Sequence, residues 1–166
     1  MKKKKVCILI ICAVLLLLIA GLIVSRVLPT NVTVSDLEKD DVFQFRGYRF
    51  GMSQGGVKLR WSGALELQNL GQQEALFSRG TARVNGKEAD VNFNFRDGGL
   101  VLAAFTVKDC DEAWFRSLVE EVRSLYGEED ISAKEQVYRW NQNGTTLAVQ
   151  FFTNNQVVLM VSLEGI

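Results

Sequence analysis

The stretch Val6 to Val24, VCILIICAVLLLLIAGLIV, carries no charge and no Gln or Asn. A helix that is apolar all round must be buried on every side, and the run fits a bilayer. At about 1.5 Å per residue it nearly spans a hydrocarbon layer of about 30 Å. Lys2, Lys3, Lys4 and Lys5 precede it and only Arg26 follows closely. By the positive-inside rule the N-terminus then stays in the cytoplasm and the bulk of the chain is exported. The expectation is a single-pass protein of the cytoplasmic membrane. Residues 1–5 form its basic cytoplasmic tail, 6–24 the transmembrane helix, 25–41 a tether in which Val32, Val34 and Leu37 add a short strand or a turn of helix, and 42–166 one extracytoplasmic domain. A cleaved signal peptide is the competing reading, with an apolar region of about 7–15 residues ending in a small-x-small site. Here the run is longer, and Ile23-Val24-Ser25 matches such a site poorly.

The rest of the chain is acidic. Formal charge balances at 19 basic and 19 acidic residues. Setting aside the four N-terminal lysines leaves 15 basic residues against 19 acidic ones. Binding to nucleic acid through phosphate neutralisation calls for the opposite sign, so that class is excluded. The chain has no histidine, which removes the commonest general base and the commonest metal ligand together. Cys7 and Cys12 lie in the apolar run, leaving Cys110 alone, between Asp109 and Asp111. A single cysteine makes no disulfide within the domain, and flanking carboxylates oppose its ionisation. No cofactor or metal is expected.

Beyond residue 42 the pattern is strand-rich. Phe43 to Phe50 reads as an aromatic strand, followed by a turn at Gly51 and a helix over Gln54–Trp61 capped by Ser53. Gly55 and Gly56 weaken that helix by about 1 kcal/mol each relative to Ala. Strands are predicted over Leu65–Leu70 and Leu76–Val84, then a hairpin at Asn85-Gly86. Ala89, Val91, Phe93 and Phe95 alternate with Asp90, Asn92, Asn94 and Arg96, the habit of an antiparallel strand with one wet face. After Leu100–Val107 comes the strongest helix, Asp109–Tyr126, with a capping box from Asp109 to Glu112. Its apolar stripe Phe115, Leu118, Val122 and Leu125 is expected to face Val91, Phe93 and Phe95. Gln136–Trp140, Thr145–Phe152 and Gln156–Leu163 complete the strands. The predicted fold class is α+β: a transmembrane helix, then a two-layer domain with an antiparallel sheet of about six to seven strands and two helices on one face.

Few residues carry chemistry. Gly51-Met52-Ser53-Gln54-Gly55 matches G-x-S-x-G, but with no histidine a Ser nucleophile has no partner base, and a helix cap explains Ser53 better. Glu128, Glu129 and Asp130 lack the spacing of a calcium loop and read as solvated. Between Val42 and Ala64 stand Arg46, Arg49, Lys58 and Arg60 with no carboxylate, interleaved with Tyr48, Phe50 and Trp61. The functional reading is a patch for an anionic partner made of Arg46, Arg49, Lys58, Arg60, Tyr48 and Trp61. The plain one is an amphipathic segment with aromatics inside and cations solvated.

Phe45-Arg46-Gly47-Tyr48-Arg49-Phe50-Gly51-Met52-Ser53 and the later Leu125-Tyr126-Gly127 resemble segments of small anchored or secreted bacterial proteins with the BamE and beta-lactamase-inhibitor-protein-like scaffold. The resemblance implies helices packed on an antiparallel sheet, in proteins that bind other proteins or have no known role and are not enzymes. Gly55-Gly56 stand where that pattern has acidic helix formers, and its lipid-anchoring Cys is not matched. The expected function is a membrane-anchored, non-catalytic interaction module of the bacterial cell envelope. Its partners would be the membrane through residues 6–24 and a protein or an anionic envelope polymer. The alternative is a small-ligand receptor or enzyme using carboxylates in a sheet–helix cleft, for which Asp97, Glu112 and Tyr138 are the candidate residues.

Overall fold

The structure, a computed structural model, describes Val14 and residues 29–70, 73–133 and 137–166. Short strand β1 (Thr30–Val32) leads through a 3-10 turn (Val34–Leu37) to the two-residue strands β2 (Glu38–Lys39) and β3 (Val42–Phe43). Helix α1 (Gln54–Arg60) precedes β4 (Glu66–Leu70), β5 (Gln73–Val84), β6 (Lys87–Arg96) and β7 (Gly99–Val107). Helix α2 (Glu112–Tyr126) is followed by β8 (Ile131–Ala133), β9 (Val137–Gln142), β10 (Thr145–Phe152) and β11 (Gln156–Leu163).

Turn chemistry fixes the hairpins. Asn85-Gly86, Asp97-Gly98 and Asn143-Gly144 each hold two successive positive φ angles, the twist that a two-residue hairpin between right-twisted strands requires. With register set there, alternation does the rest. Val91, Phe93, Phe105, Leu147, Val149, Leu159 and Val161 are fully buried on one face of the sheet. Both helices add to the same cluster, α1 through Val57 and α2 through Phe115, Leu118, Val119 and Val122.

The chain is α+β in content, but the expected fold class is corrected. Strand dominates the described residues, in a sheet curled into a half-barrel. That sheet has nine strands instead of six or seven, in the order β1-β5-β6-β7-β11-β10-β9-β8, with β4 also on β5. It is mixed, because β1 runs parallel to β5. The reason lies in β5: at 12 residues it is long enough to pair with β4 along its first half and β1 along its second. Register breaks at Ser78/Ala82 and at Asn94/Phe95 supply the bends by which a large twisted sheet curls.

The membrane expectation is corrected too. Among the described residues no helix is long and apolar enough to cross a membrane. Helices α1 and α2 have 7 and 15 residues, short of the ~20 apolar residues a span needs. Residues 6–24, the expected span, lie outside the described residues except for Val14. On that finding the single-pass placement, N-terminus inside and domain outside, is set aside. The stretch read as a tether also changes role, since Val32, Val34 and Leu37 are fully buried in the core.

Helix α2 starts later than expected. Its cap is Asp111, whose side chain accepts from the Trp114 N–H at 2.7 Å, while Asp109 sits in the preceding turn at a positive φ. It docks on β9 and β10, where Phe115 stacks on Phe151 and tilts on Tyr138. Leu125 is half-exposed, and Phe93 lies beneath Tyr48 and Trp61. Tyr126 closes the far end, donating its hydroxyl hydrogen to the Val34 carbonyl at 3.0 Å and meeting Phe43 edge-on.

Beyond α2, Arg123 gathers Glu120, Glu128 and Glu129 and lies over the Tyr138 ring. Hydrogen bonds from Arg123 hold the Glu129 carboxyl below its usual range against the opposing effect of burial. A carboxyl whose pKa is lower folded than unfolded contributes stability above the unfolded value, near about 4.3, and loses it as pH falls through the folded value. Wild type should therefore exceed Glu129→Gln in urea midpoint at pH 7, and the gap should close as the pH drops below about 4. A gap independent of pH would show that the pair is not what stabilises this corner.

Candidate functional site

The segment from β3 to α1 is not the continuous strand expected over 43–50. Phe43, Phe45 and Tyr48 are buried while Arg46, Gly47 and Arg49 are exposed. That spacing breaks the period of two and marks a turn. The Tyr48 N–H closes it by donating to the Phe45 carbonyl at 2.8 Å, with Gly47 at φ 80°. The turn is pinned from two sides. The Arg46 and Gln44 N–H groups donate to the carbonyls of Asp36 and Leu37, and the Gly51 N–H donates to the Leu100 carbonyl. Phe45 stacks on Tyr48 and Tyr48 stacks on Phe93, with Trp61 edge-on to Phe93. Ser53 caps α1, its hydroxyl oxygen accepting from the Gly56 N–H at 3.3 Å.

The aromatics go in and the cations stay out, and the turn pushes those cations between three open depressions that share lining residues. One, of about 590 Å³, is lined by Ser35, Asp36, Glu38, Lys39, Arg46 and Gly47. The second, of about 390 Å³, is lined by Lys39, Gln44, Gly47, Arg49, Met52 and Arg60. The third, of about 280 Å³, lies between β1 and the turn, with Arg46, Tyr48, Arg60 and Ser62 among its walls. Only the second has cations and no carboxylate. Arg46 is engaged elsewhere, 3.5 Å from Asp36. Among the described residues Lys39, Arg49 and Arg60 form no ion pair. The Arg60 guanidinium donates to the Gly56 carbonyl at 3.3 Å and leans on the Met52 sulfur, which keeps it at the rim.

Of the patch residues, Arg49 and Arg60 share the second depression, while Arg46 lines the first and the third. Lys58 stands on the exposed side of α1 and lines none of the three depressions. The rings of Tyr48 and Trp61 belong to the core, Trp61 donating its indole N–H to the Thr81 hydroxyl at 3.2 Å. Lys39 is the residue that reading the sequence missed, because it sits in the stretch taken for a tether. Only the 3-10 turn, which reverses the chain after β1, delivers it to the site.

The alternative residues do not all meet in one site. Asp97 lies in the β6–β7 turn and Glu112 just past the other end of β7, so a nine-residue strand, about 30 Å long, separates them. Glu112 pairs with Arg116, and the Tyr138 ring lies against Phe115. Burial pushes the Tyr48 and Tyr126 hydroxyls up to about 12, so both stay protonated at neutral pH. Burial also raises the Cys110 thiol, ahead of the pull from Lys87 and the push from Asp111 and Asp109.

What this arrangement can do is hold a negative charge. Guanidinium groups offer a planar fork of donors that matches a carboxylate or a phosphate, and a neighbouring ammonium adds charge without directional demand. No family model matches the chain, and no curated protein or solved structure matches it either.

Proposed function

We propose that this chain is a non-catalytic interaction module that takes an anionic group of its partner into the depression lined by Lys39, Arg49 and Arg60. The observation that carries this reading is the convergence of three cations without ion pairs on a wall that has no carboxylate, in a protein whose charge beyond the N-terminal lysines is negative. A positive island on an acidic surface attracts a local negative group and disfavours a long uniform polyanion track. The fitting partners are an acidic protein face or an anionic polymer contacted group by group. The separation of Asp97 from Glu112 and the use of Ser53 as a cap support a binding role over a catalytic one.

The full chain should bind a carboxymethyl-dextran surface at low salt. Binding should fall as NaCl rises, because exposed charges are screened over about 8 Å at physiological ionic strength. Lys39→Glu combined with Arg49→Glu should weaken it by at least about tenfold and leave the melt within about 0.5 kcal/mol, as both side chains are exposed and unpaired. Salt-insensitive binding, or a double variant that binds like wild type, would sink the reading.

A further inference from the structure

The depression next to the cationic one has a different chemistry, and Arg60 lines both. Its walls include Thr30, Asn31, Tyr48 and Ser62. The Thr30 and Ser62 hydroxyls are 3.0 Å apart and bond to each other. A hydroxyl has one donor and two acceptor positions, so this pair keeps one O–H donor and several lone pairs for a ligand. Asn31 is exposed and brings an amide with both donors and an acceptor. The Tyr48 ring is buried, yet its hydroxyl is absent from the enclosed unpartnered atoms and makes no hydrogen bond among the described residues. Tyr48 lines this depression, so a ligand there can take up its hydroxyl. Burial keeps it protonated at neutral pH, and therefore a donor.

Unpaired cations on one side of Arg60, and on the other hydroxyls and an amide beside the Asp36–Arg46 ion pair, call for a ligand with a charged part and a part that both donates and accepts. An acidic peptide supplies carboxylates and backbone amides but few hydroxyls. A uronic-acid saccharide supplies a carboxylate on one ring position and hydroxyls on the neighbouring ones. We propose that the module's ligand is an acidic saccharide, its carboxylate among Lys39, Arg49 and Arg60 and its ring hydroxyls on Asn31, Ser62 and Tyr48. This rests on the anion-binding role proposed above and narrows it to one class of ligand.

Calorimetric titration of the full chain with oligogalacturonate, oligoglutamate and neutral maltooligosaccharide separates the two readings. Oligogalacturonate should bind at least about tenfold tighter than either of the others. Asn31→Ala and Ser62→Ala should each weaken it about three- to tenfold, the worth of one net hydrogen bond, without changing oligoglutamate binding. Asn31 is exposed on a short strand, so its truncation tests the contact even where Ser62→Ala loosens the Thr30 pair. Equal binding of oligogalacturonate and oligoglutamate, unaffected by Asn31→Ala, overturns the saccharide and leaves the anion site with an acidic-peptide ligand. Failure of both anions to bind overturns the anion site together with the saccharide.

Discussion

Deleting residues 30–41 from the full chain should abolish cooperative unfolding. The deletion removes Val32, Val34 and Leu37, all fully buried, and burying such side chains is worth about 1.5–3 kcal/mol apiece. The sum approaches the whole net stability of a typical domain, about 5–15 kcal/mol. Other losses add to it. Strand β5 loses its parallel neighbour over Ala82–Val84, and the Tyr126 hydroxyl loses the Val34 carbonyl. The turn at Arg46 loses the carbonyl that holds its N–H. Near-UV circular dichroism during urea titration should show no sigmoidal transition and little aromatic signal at zero urea. A deletion variant that melts like the full chain would restore these residues to the role of a dispensable tether.

What could be read from residues alone follows how local the determining forces are. Asn85-Gly86 and the alternation after it defined β6 because turn chemistry and burial period are both written within ten residues. The end of α2 was legible for the same reason, Gly127 taking a positive φ with its N–H on the Arg123 carbonyl. Strand β8 was not, and β1 only as a short strand or turn around Val32, Val34 and Leu37. Each has three residues, too few for a period, and β1 pairs with the far end of β5, Thr30 lying opposite Ala82. Over 43–50 the aromatics suggested a strand, but tertiary packing sent Phe45 and Tyr48 to the same side with a turn between.

The site repeats that division. The patch of Arg46, Arg49, Lys58 and Arg60 was visible as cations without carboxylates. Its geometry was not, since it depends on which aromatic goes inside. Lys39 enters from across a reversal, and Lys58 leaves because a helix turn rotates it outward. The hydroxyl wall of Thr30, Tyr48 and Ser62 had no sequence signal at all: it is built from a strand, a turn and a loop that meet only in the fold.

Phe93→Ala should be the most damaging single truncation of the sheet, costing about 3–5 kcal/mol. Phe93 is fully buried, opposite Leu76 and Ala103 in register, and carries the aromatic group that fills the space under the turn. Tyr48 stacks on it at 5.1 Å and Trp61 meets it edge-on at 5.4 Å. Such aromatic pairs add roughly 0.5–1.5 kcal/mol to their buried area. None of those neighbours can collapse into the gap without abandoning its own contacts: Trp61 is tied to Thr81, and Tyr48 to the backbone of the turn. Phe77, on the opposite face and only partly buried, is the control, and its truncation should cost roughly 1 kcal/mol. The loss at Phe93 should also reach the site, because Tyr48 sits between Arg46 and Arg49 and the ring beneath it fixes where they stand. Urea midpoints should fall far more for Phe93→Ala than for Phe77→Ala, and binding to carboxymethyl-dextran should weaken in the first alone. Equal losses in the two variants would mean that the aromatic stack does not carry the turn.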